Sequence, residues 1–355
     1  MKPVSIPSLE EIEKINLFFI IGRPRSGTTL LRTLLDAHPN VIVPTECPFI
    51  LHLAKRYKDI KNWEFNTIDR FIEDLQRIWL FHVTGIEIEI LRKNLYALSG
   101  VNDYLTICKV VLLHYPRVFE KKNIILVGDK NPGYSVKFAY LFSIFGNKAK
   151  YIQITRDYRD QFLSLRQTNY DFPYISISTK RWRQSIKDFT RISNRKPELF
   201  YTLRYEELAT NPETELKKVT DFLSIDFDPQ VLKFHERKEE FSKIFPEQAL
   251  KGIHKSLLNP IKPDKIGIWE KQLTPIQVKI ADTVAGKYAD QFKYERIYKK
   301  FNIYYWVCAS PGIAFYYFLR LSLSMVSLLP FRIYIKLSKR SIIAFVWNKF
   351  LGKKK

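Results

Sequence analysis

The chain has 355 residues, 46% of them apolar and 15% aromatic, and carries a formal net charge of +22 at pH 7. This composition excludes a disordered chain and suits one large domain or two small ones with buried cores. Residues 299–355 contain 11 basic and no acidic side chains, which is half of the charge excess. The other half fits a small polyanionic substrate but is also common on ordinary protein surfaces.

The cysteines and histidines indicate the cellular setting. Cys47, Cys108 and Cys308 form no C-x-x-C pair and are odd in number, which predicts a reducing, cytoplasmic compartment with neither disulfides nor a zinc site. The six histidines are dispersed, so we expect no metal site.

Residues 1–13 are polar and predict no signal peptide. The basic excess accompanies apolar runs rather than a groove-reading motif, so we expect no nucleic-acid binding.

The first strong pattern is a strand, a loop and a helix. Residues 1–15 form a polar lead-in, and residues 17–21 are an uncharged run typical of a buried strand. Residues 22–27 read GRPRSG, and from Thr28 the leucines recur at helical spacing. The loop amides and the helix N-terminus would point at one spot and favour an anion there. The loop therefore predicts a phosphate or sulfate site, although a simple turn is the alternative.

The spacing of this loop is close to that of a P-loop. Gly22, Gly27 and Thr29 fit G-x-x-x-x-G-K-[ST], but Thr28 occupies the lysine position and the cations come earlier, at Arg23 and Arg25. An ATP-dependent enzyme normally needs that lysine and an acidic residue for magnesium. The loop thus favours an anion other than a magnesium-bound nucleotide.

Further strands alternate with helices along the chain. The pattern predicts strands at residues 41–43, 124–127, 151–155 and 199–203, with helices after them. Residues 49–119 read as mostly helical and would cover the sheet and shape an acceptor pocket. This alternation predicts an α/β fold with a P-loop-like parallel sheet flanked by helices.

Polar or basic residues follow each predicted strand. They occupy residues 22–29, 129–131, 156–157 and 204–206. The carboxyl ends of parallel strands lie along one edge of a sheet, where ligands bind. We therefore expect these four loops to form a single cationic crevice.

Four side chains carry the candidate chemistry. Arg156 ends a strand and Ser164 lies two turns into the next helix, so both could bind one phosphate, although Arg156 could instead form a salt bridge. Glu46, in a loop between two prolines, could act as a general base or merely cap a helix. Lys130 could stabilise developing charge or pair with Asp129.

The order of these motifs resembles the sulfotransferases that use 3′-phosphoadenosine 5′-phosphosulfate (PAPS), most closely the branch with the tyrosylprotein sulfotransferases and many bacterial relatives. The resemblance covers residues 16–294 and predicts a sulfotransferase domain at residues 16–298. The segments that carry it are residues 25–29, 36–39, 130–132, 156–164, 204–208 and 266–269, together with Glu46.

The resemblance implies roles for individual residues. PAPS would contact Arg23, Arg25, Ser26, Gly27, Thr28 and Thr29 through its 5′-phosphosulfate, Arg156 and Ser164 through its 3′-phosphate, Tyr205 near the adenosine, and Ser256. Glu46 would be the base, and Lys130 and Arg25 would stabilise the transition state. Thr168 occupies the position of a second arginine in that branch, so this contact is either missing or supplied from elsewhere, for example by Arg166.

The implied reaction is in-line transfer of a sulfuryl group from PAPS to a hydroxyl or amine, with release of 3′-phosphoadenosine 5′-phosphate (PAP). No metal is needed, because protein cations replace magnesium. The acceptor class stays open among a glycan, a lipid and a small molecule. A nucleotide-phosphate kinase and a non-catalytic, membrane-bound binding protein are the alternatives.

Residues 299–355 form a basic, apolar and mainly helical tail. Residues 303–319 and 321–331 are uncharged, and Pro311 and Pro330 should divide the tail into pieces. Aromatic residues with lysines and no acids favour peripheral contact with a membrane surface through residues 301–351. Helices packed on the catalytic domain or on a partner, and an interrupted membrane span, are the other interpretations.

Overall fold

The computed structural model describes residues 8–168, 172, 174–236 and 259–339. Its strands are β1 (Asn16–Ile21), β2 (Val41–Ile42), β3 (Asn62–Trp63), β4 (Gly100–Val101), β5 (Leu126–Lys130), β6 (Ala149–Thr155) and β7 (Phe200–Arg204). Five strands form a parallel sheet in the order β2–β5–β1–β6–β7, as the alternating pattern predicts. The loop predicted to bind an anion, called the anion loop below, follows β1, the central strand.

Helices cover both faces of this sheet. In chain order they are α1 (Leu9–Lys14), α2 (Thr28–Asp36), α3 (Phe49–Tyr57), α4 (Phe65–Gln76), α5 (Ile88–Ala97), α6 (Tyr104–Leu113), α7 (Phe138–Phe145), α8 (Tyr158–Arg166), α9 (Ile175–Ser193), α10 (Tyr205–Thr210), α11 (Pro212–Leu223), α12 (Trp269–Gln272), α13 (Pro275–Ala285), α14 (Lys287–Gln291), α15 (Ile303–Leu328) and α16 (Phe331–Lys339).

Strand β1 separates two hydrophobic cores. Phe19 and Ile21 pack into one cluster, while Phe18 and Ile20 pack into the other. Successive side chains of a strand point to opposite faces, so a strand buried on both faces must be apolar throughout. This explains why β1 reads as an unbroken apolar run.

Several element boundaries differ from the prediction. Strand β5 covers Leu126–Lys130 rather than residues 124–127, so Asp129 and Lys130 lie inside the strand instead of beyond its end. Lys130 keeps strand pairing because β1 extends alongside it to Ile20. The largely helical region 49–119 also contains β3 and β4, which pair antiparallel. Strand β7 ends at Arg204, and α10 begins immediately at Tyr205.

The prediction that Pro311 divides the tail is wrong, because α15 continues through it from Ile303 to Leu328. Proline deprives the carbonyl four residues earlier of its helical N–H, here that of Val307. The hydroxyl of Ser310 donates to the Val307 carbonyl at 2.8 Å and replaces the missing bond. Helix α15 ends before Pro330, as predicted, and is long and apolar enough to be a candidate membrane span among the described residues.

Candidate active site

The loop after β1 is held in one conformation by close packing at its two glycines. A Cβ at Gly22 would lie 2.5 Å from Cγ2 of Thr28 and 2.8 Å from the Ile154 carbonyl. Gly27, at φ +90°, precedes α2, and a Cβ there would lie 2.6 Å from the Tyr205 ring. A side chain at either position would therefore displace the loop or the groups against it.

The predicted 3′-phosphate residues lie against this loop. Nε of Arg25 donates to Oγ of Ser164 at 2.9 Å, and Nη1 of Arg156 donates to the Arg25 carbonyl at 3.3 Å. Arg25 has φ +68°, an uncommon conformation for a residue with a side chain. In this arrangement the Arg25 guanidinium lies with Ser164, on the side of the predicted 3′-phosphate site.

Arg156 is held by an aromatic ring and by residues 265–270, called the late segment below. Its guanidinium carbon lies 4.6 Å from the centroid of the Tyr205 ring, and Nη2 donates to the Lys265 carbonyl at 2.5 Å. The Trp182 indole donates to the Arg156 carbonyl at 2.9 Å. Nε of Arg156 is buried without a hydrogen-bond partner among the described residues. This buried N–H group could donate to an oxyanion.

Lys130 and Glu46 contact each other. Nζ of Lys130 donates to Oε1 of Glu46 and also to Oγ1 of Thr29, at 3.2 Å in the latter case. The Lys130 side chain is almost fully buried, whereas Glu46 is one-third exposed. The candidate base and the candidate cation thus meet beside the first turn of α2. Lys130 pairs with Glu46 rather than with Asp129, which was the alternative interpretation.

The Glu46 loop is anchored to α2 by two buried charged residues. Arg32 donates from Nε to the carbonyls of Val43 and Pro44 at 2.9 and 3.2 Å. Asp36 accepts the Val43 N–H at 2.9 Å. Burial lowers the pKa of Arg32. Helix α2 therefore carries the anion loop at its N-terminus and positions the Glu46 loop through its side chains.

Asp129 lies next to Lys130 but takes no part in that contact. It accepts a hydrogen bond from the Tyr134 hydroxyl and is 1% exposed. Burial raises its pKa from 3.8 to about 7, against the opposing effect of the Tyr134 hydrogen bond. A carboxyl group that holds its proton near neutral pH therefore lies beside the candidate catalytic pair.

Two positioning residues gave no signal in the sequence. Gln161 donates from Nε2 to Oγ of Ser26 and to the Pro24 carbonyl, at 2.9 Å each. Asp160 accepts the backbone N–H groups of Gly267 and Trp269 at 2.7 and 2.9 Å. Both belong to α8, which thereby holds the anion loop on one side and the late segment on the other.

The remaining predicted residues do not all join this cluster. Arg23 and Ser26 are buried, whereas Arg166 is the exposed last residue of α8 and Thr168 lies two residues beyond it. Ser256 lies outside the described residues. A separate cleft of about 1360 Å³ is lined by Arg159, Trp269, Tyr294 and neighbouring side chains, and contains neither Lys130 nor Glu46.

Comparisons with known proteins place the chain in a family. A sequence model described as the sulfotransferase family matches residues 18–229. Protein-tyrosine sulfotransferase A of Caenorhabditis elegans is 26% identical over 279 residues, covering 75% of this chain and 64% of that protein. Protein-tyrosine sulfotransferase 1 of Danio rerio is 24% identical over 275 residues, covering 76% and 69%. The chain thus spans less than two thirds of the nematode relative.

A solved structure shares the fold. The sulfotransferase domain of the Synechococcus PCC 7002 olefin synthase superposes with a TM-score of 0.53 at 19% identity, covering 79% of this chain and 96% of that one. The likeness covers most of this chain and nearly all of that domain, so the two share a fold.

Proposed function

Since this chain belongs to the sulfotransferase family, we propose that it transfers a sulfuryl group from PAPS to a hydroxyl or amine acceptor and releases PAP. The observation that carries the proposal is the position of Lys130, which contacts both the candidate base Glu46 and Thr29 of the anion loop. An acceptor beside Glu46 would therefore face a sulfonate held at the N-terminus of α2.

The residues present suit the two anionic ends of PAPS. The 3′-phosphate would accept from the buried Nε of Arg156 and from Ser164, with Tyr205 covering the guanidinium. The 5′-phosphosulfate would bind the backbone amides and side-chain hydroxyls of the loop, which belong to Ser26, Gly27, Thr28 and Thr29. Late cofactor contact by Ser256 stays a prediction from the sequence.

The proposed chemistry needs one base and one cation. The acceptor oxygen or nitrogen attacks sulfur in line, the bond from sulfur to the bridging oxygen breaks, and the electron pair leaves with PAP. Glu46 takes the acceptor proton, and Lys130 stabilises the charge that grows on the bridging oxygen. No metal takes part in the proposed step.

Arg25 would act both at the 5′-phosphosulfate site and at the 3′-phosphate site. Its backbone belongs to the anion loop, while its guanidinium is hydrogen-bonded to Ser164. Stabilisation of the transferring group by Arg25 requires that the guanidinium leave Ser164 when the 3′-phosphate binds there. The Ser164 hydroxyl accepts from Nε of Arg25 and can still donate its own proton to the 3′-phosphate, so the negative charge of the 5′-phosphosulfate would have to draw the guanidinium away.

The acceptor is proposed only as a molecule with a free hydroxyl or amine, among glycans, lipids and small molecules. The named relatives include protein-tyrosine sulfotransferases, so a tyrosine side chain belongs with the acceptors to be assayed. The setting we propose is a membrane surface, contacted through residues 301–351.

Binding of PAP, compared with ATP and magnesium, tests the cofactor by calorimetry on the wild type and Arg156→Ala. We expect metal-independent, micromolar binding of PAP that weakens at least tenfold in the variant. A preference for ATP with magnesium would instead favour the nucleotide-phosphate kinase.

Transfer of ³⁵S from labelled PAPS to an acceptor panel tests the catalytic pair. Glu46→Gln should bind PAP normally and lose at least a hundredfold in transfer rate, in line with typical losses of a general base. Glu64→Gln is the control, because it changes an exposed carboxylate that precedes α4 and makes no capping hydrogen bond to it. Equal activity of Glu46→Gln and the control would reject Glu46 as the base.

A further inference from the structure

Helix α15 has one long apolar face that the rest of the described structure leaves exposed. The members of this face share one side of the helix at spacings of three, four and eleven residues. They are Ile303, Val307, Phe318, Leu321, Met325 and Leu328, each at least 60% exposed. At 1.5 Å per residue this face runs for nearly 40 Å. Between Val307 and Phe318 the same side carries the small exposed residues Ser310 and Ala314, so the large apolar side chains share one side of the helix and are not scattered around it.

The opposite face of α15 packs on the catalytic domain. Phe315 meets the ring of Phe172 edge-on at 4.9 Å, and Leu319 packs with Ile177 of α9. The approach is close enough at Gly312 that a Cβ there would lie 2.1 Å from the Ser176 hydroxyl. The helix is thus docked along its length, and its free face lies parallel to the domain surface.

This docking is incompatible with a membrane span. Helix α9 runs beside α15 with polar and charged side chains, among them Lys180 against Tyr317 of α15 at 5.0 Å. A spanning α15 would draw these charges and the attached sheet into hydrocarbon, where charged side chains are strongly disfavoured. Lying flat, α15 needs to bury only its outer face.

The basic side chains near the exposed face of α15 indicate what kind of surface this face contacts. Lys299 and Lys300 precede α15, Arg320 flanks its middle, and Arg332 and Lys336 are exposed on α16. Residues 340–355 add five further basic side chains and no acid. Apolar side chains edged by basic ones match a bilayer with anionic headgroups.

We propose that α15 lies in the plane of an anionic lipid bilayer, with the face from Ile303 to Leu328 inserted at the level of the headgroups and upper acyl chains. The proposal gives the membrane contact of the proposed function a defined face and orientation. It does not depend on the sulfuryl transfer, so that vesicle binding and PAP binding can fail separately.

The same docking connects the bilayer to the acceptor side of the site. Lys55 of α3 donates to the carbonyls of Ser327 and Leu329 at 2.8 and 2.7 Å, which fixes the end of α15. Tyr334 of α16 contacts His52, at 5.2 Å between ring centroids. Helix α3 begins three residues after Glu46. The tail therefore holds the Glu46 side of the site next to the membrane plane.

Cosedimentation of the full chain with vesicles tests the partner. We expect binding to vesicles of 30% phosphatidylglycerol in phosphatidylcholine, at least tenfold tighter than to pure phosphatidylcholine and weakened by 0.5 M salt. Phe318→Glu/Leu321→Glu should lose at least tenfold in vesicle affinity. Val101→Glu, at an 85% exposed apolar residue of β4, is the matched control. Circular dichroism and the thermal unfolding midpoint check that each variant folds.

Insertion depth tests the orientation. Single cysteines at Val307, Ala314, Leu321 and Leu328, in a Cys308→Ser background, would carry an environment-sensitive fluorophore. Quenching by lipids brominated at different depths should place all four labels at the same shallow level. A span would distribute them over about 30 Å, since successive sites are about 10 Å apart along the axis.

Three outcomes would overturn the proposal. One is a depth gradient across the four labels, which would establish a span. Another is equal binding of Phe318→Glu/Leu321→Glu and Val101→Glu to anionic vesicles. The third is a stable dimer in light scattering that Phe318→Glu/Leu321→Glu dissociates, with no vesicle binding by the wild type, which would assign the face to a second copy of the chain.

Discussion

Arg25 and Ser164 are 139 residues apart in sequence and are joined by a 2.9 Å hydrogen bond between Nε and Oγ. The bond links the anion loop to α8, so the groups proposed for the two ends of PAPS form one connected unit. Residues that act as a unit give non-additive effects when they are substituted singly and together.

A double-mutant cycle tests this link through PAP affinity. Arg25→Ala and Ser164→Ala should each weaken PAP binding about tenfold, roughly 1.4 kcal/mol, and the double variant should lose clearly less than the sum. Arg166→Ala, which removes an exposed cation from the same helix, should leave affinity within about twofold. Strict additivity in calorimetry would show that the two residues bind PAP independently. A large loss in Arg166→Ala would identify Arg166 as a ligand.

Asp160 offers a test of the late segment. Its carboxylate accepts the N–H groups of Gly267 and Trp269, and the same segment supplies the Lys265 carbonyl to Arg156. Asp160→Ala leaves two N–H groups without their charged acceptor, so the segment should loosen. We expect KM for PAPS to rise about tenfold with kcat nearly unchanged, a split that measures cofactor binding.

Glu270→Gln is the control for Asp160→Ala, because it removes an exposed carboxylate from the same segment. Its KM for PAPS should stay at the wild-type value. If both variants behaved alike, the effect would belong to local charge and not to the two backbone hydrogen bonds.

The buried Asp129 predicts a pH dependence of stability. Its pKa is about 7 in the folded state and 3.8 ordinarily. As pH rises from about 4 to 7, the unfolded state loses this proton before the folded state does, so the free energy of unfolding falls. A shift of this size corresponds to about 4 kcal/mol at most. Asp129→Asn should remove that fall. The free energy of unfolding of the variant should therefore exceed that of the wild type by an amount that grows up to pH 7.

Urea unfolding at pH 4, 5, 6, 7 and 8 measures this difference. Above pH 7 the two curves should run parallel, because Asp129 is then ionised in both states of the wild type. Asp59→Asn, which removes a solvent-exposed carboxylate, controls for the loss of one charge. If the free energies of unfolding of Asp129→Asn and the wild type differed by the same amount at every pH from 4 to 8, the raised pKa of Asp129 would be contradicted.

The loop glycine gives a steric prediction. Gly27→Ala introduces a Cβ at φ +90° and 2.6 Å from the Tyr205 ring, so the loop or the ring must move. We expect PAP affinity to fall more than tenfold. Gly133→Ala, where no atom lies within 4 Å of the added Cβ, should bind PAP like the wild type. Wild-type affinity in Gly27→Ala would show that this packing does not shape the anion site.

The parts of the fold with a local signal were predictable. The apolar run of β1, the glycines of its loop and the leucine spacing of α2 are local patterns, and the parallel sheet follows from their alternation with later units. The end of β5 was misplaced because Asp129 and Lys130 are charged and resemble a loop in sequence. Their pairing with β1 depends on a neighbouring strand, which a local pattern does not contain.

The side-chain network of the site had no such signal. Gln161 and Asp160 act through hydrogen bonds to segments over 100 residues away, and nothing in their own neighbourhood distinguishes them from solvent-facing helix residues. The continuity of α15 through Pro311 likewise depends on one local replacement, the Ser310 hydroxyl on the Val307 carbonyl. The sequence gives the residue types at these positions but not the residues that they contact in the fold.

The contact between Lys130 and Glu46 links the proposed base to the anion loop, because Lys130 also donates to Thr29. While the ammonium group holds the carboxylate, Oε1 of Glu46 is engaged in the ion pair. A sulfonate bound at the loop would give Lys130 a second anionic partner and release the proposed base as the donor binds. Without donor, the proposed base would stay paired, so the site would be ready for an acceptor only after the donor has bound.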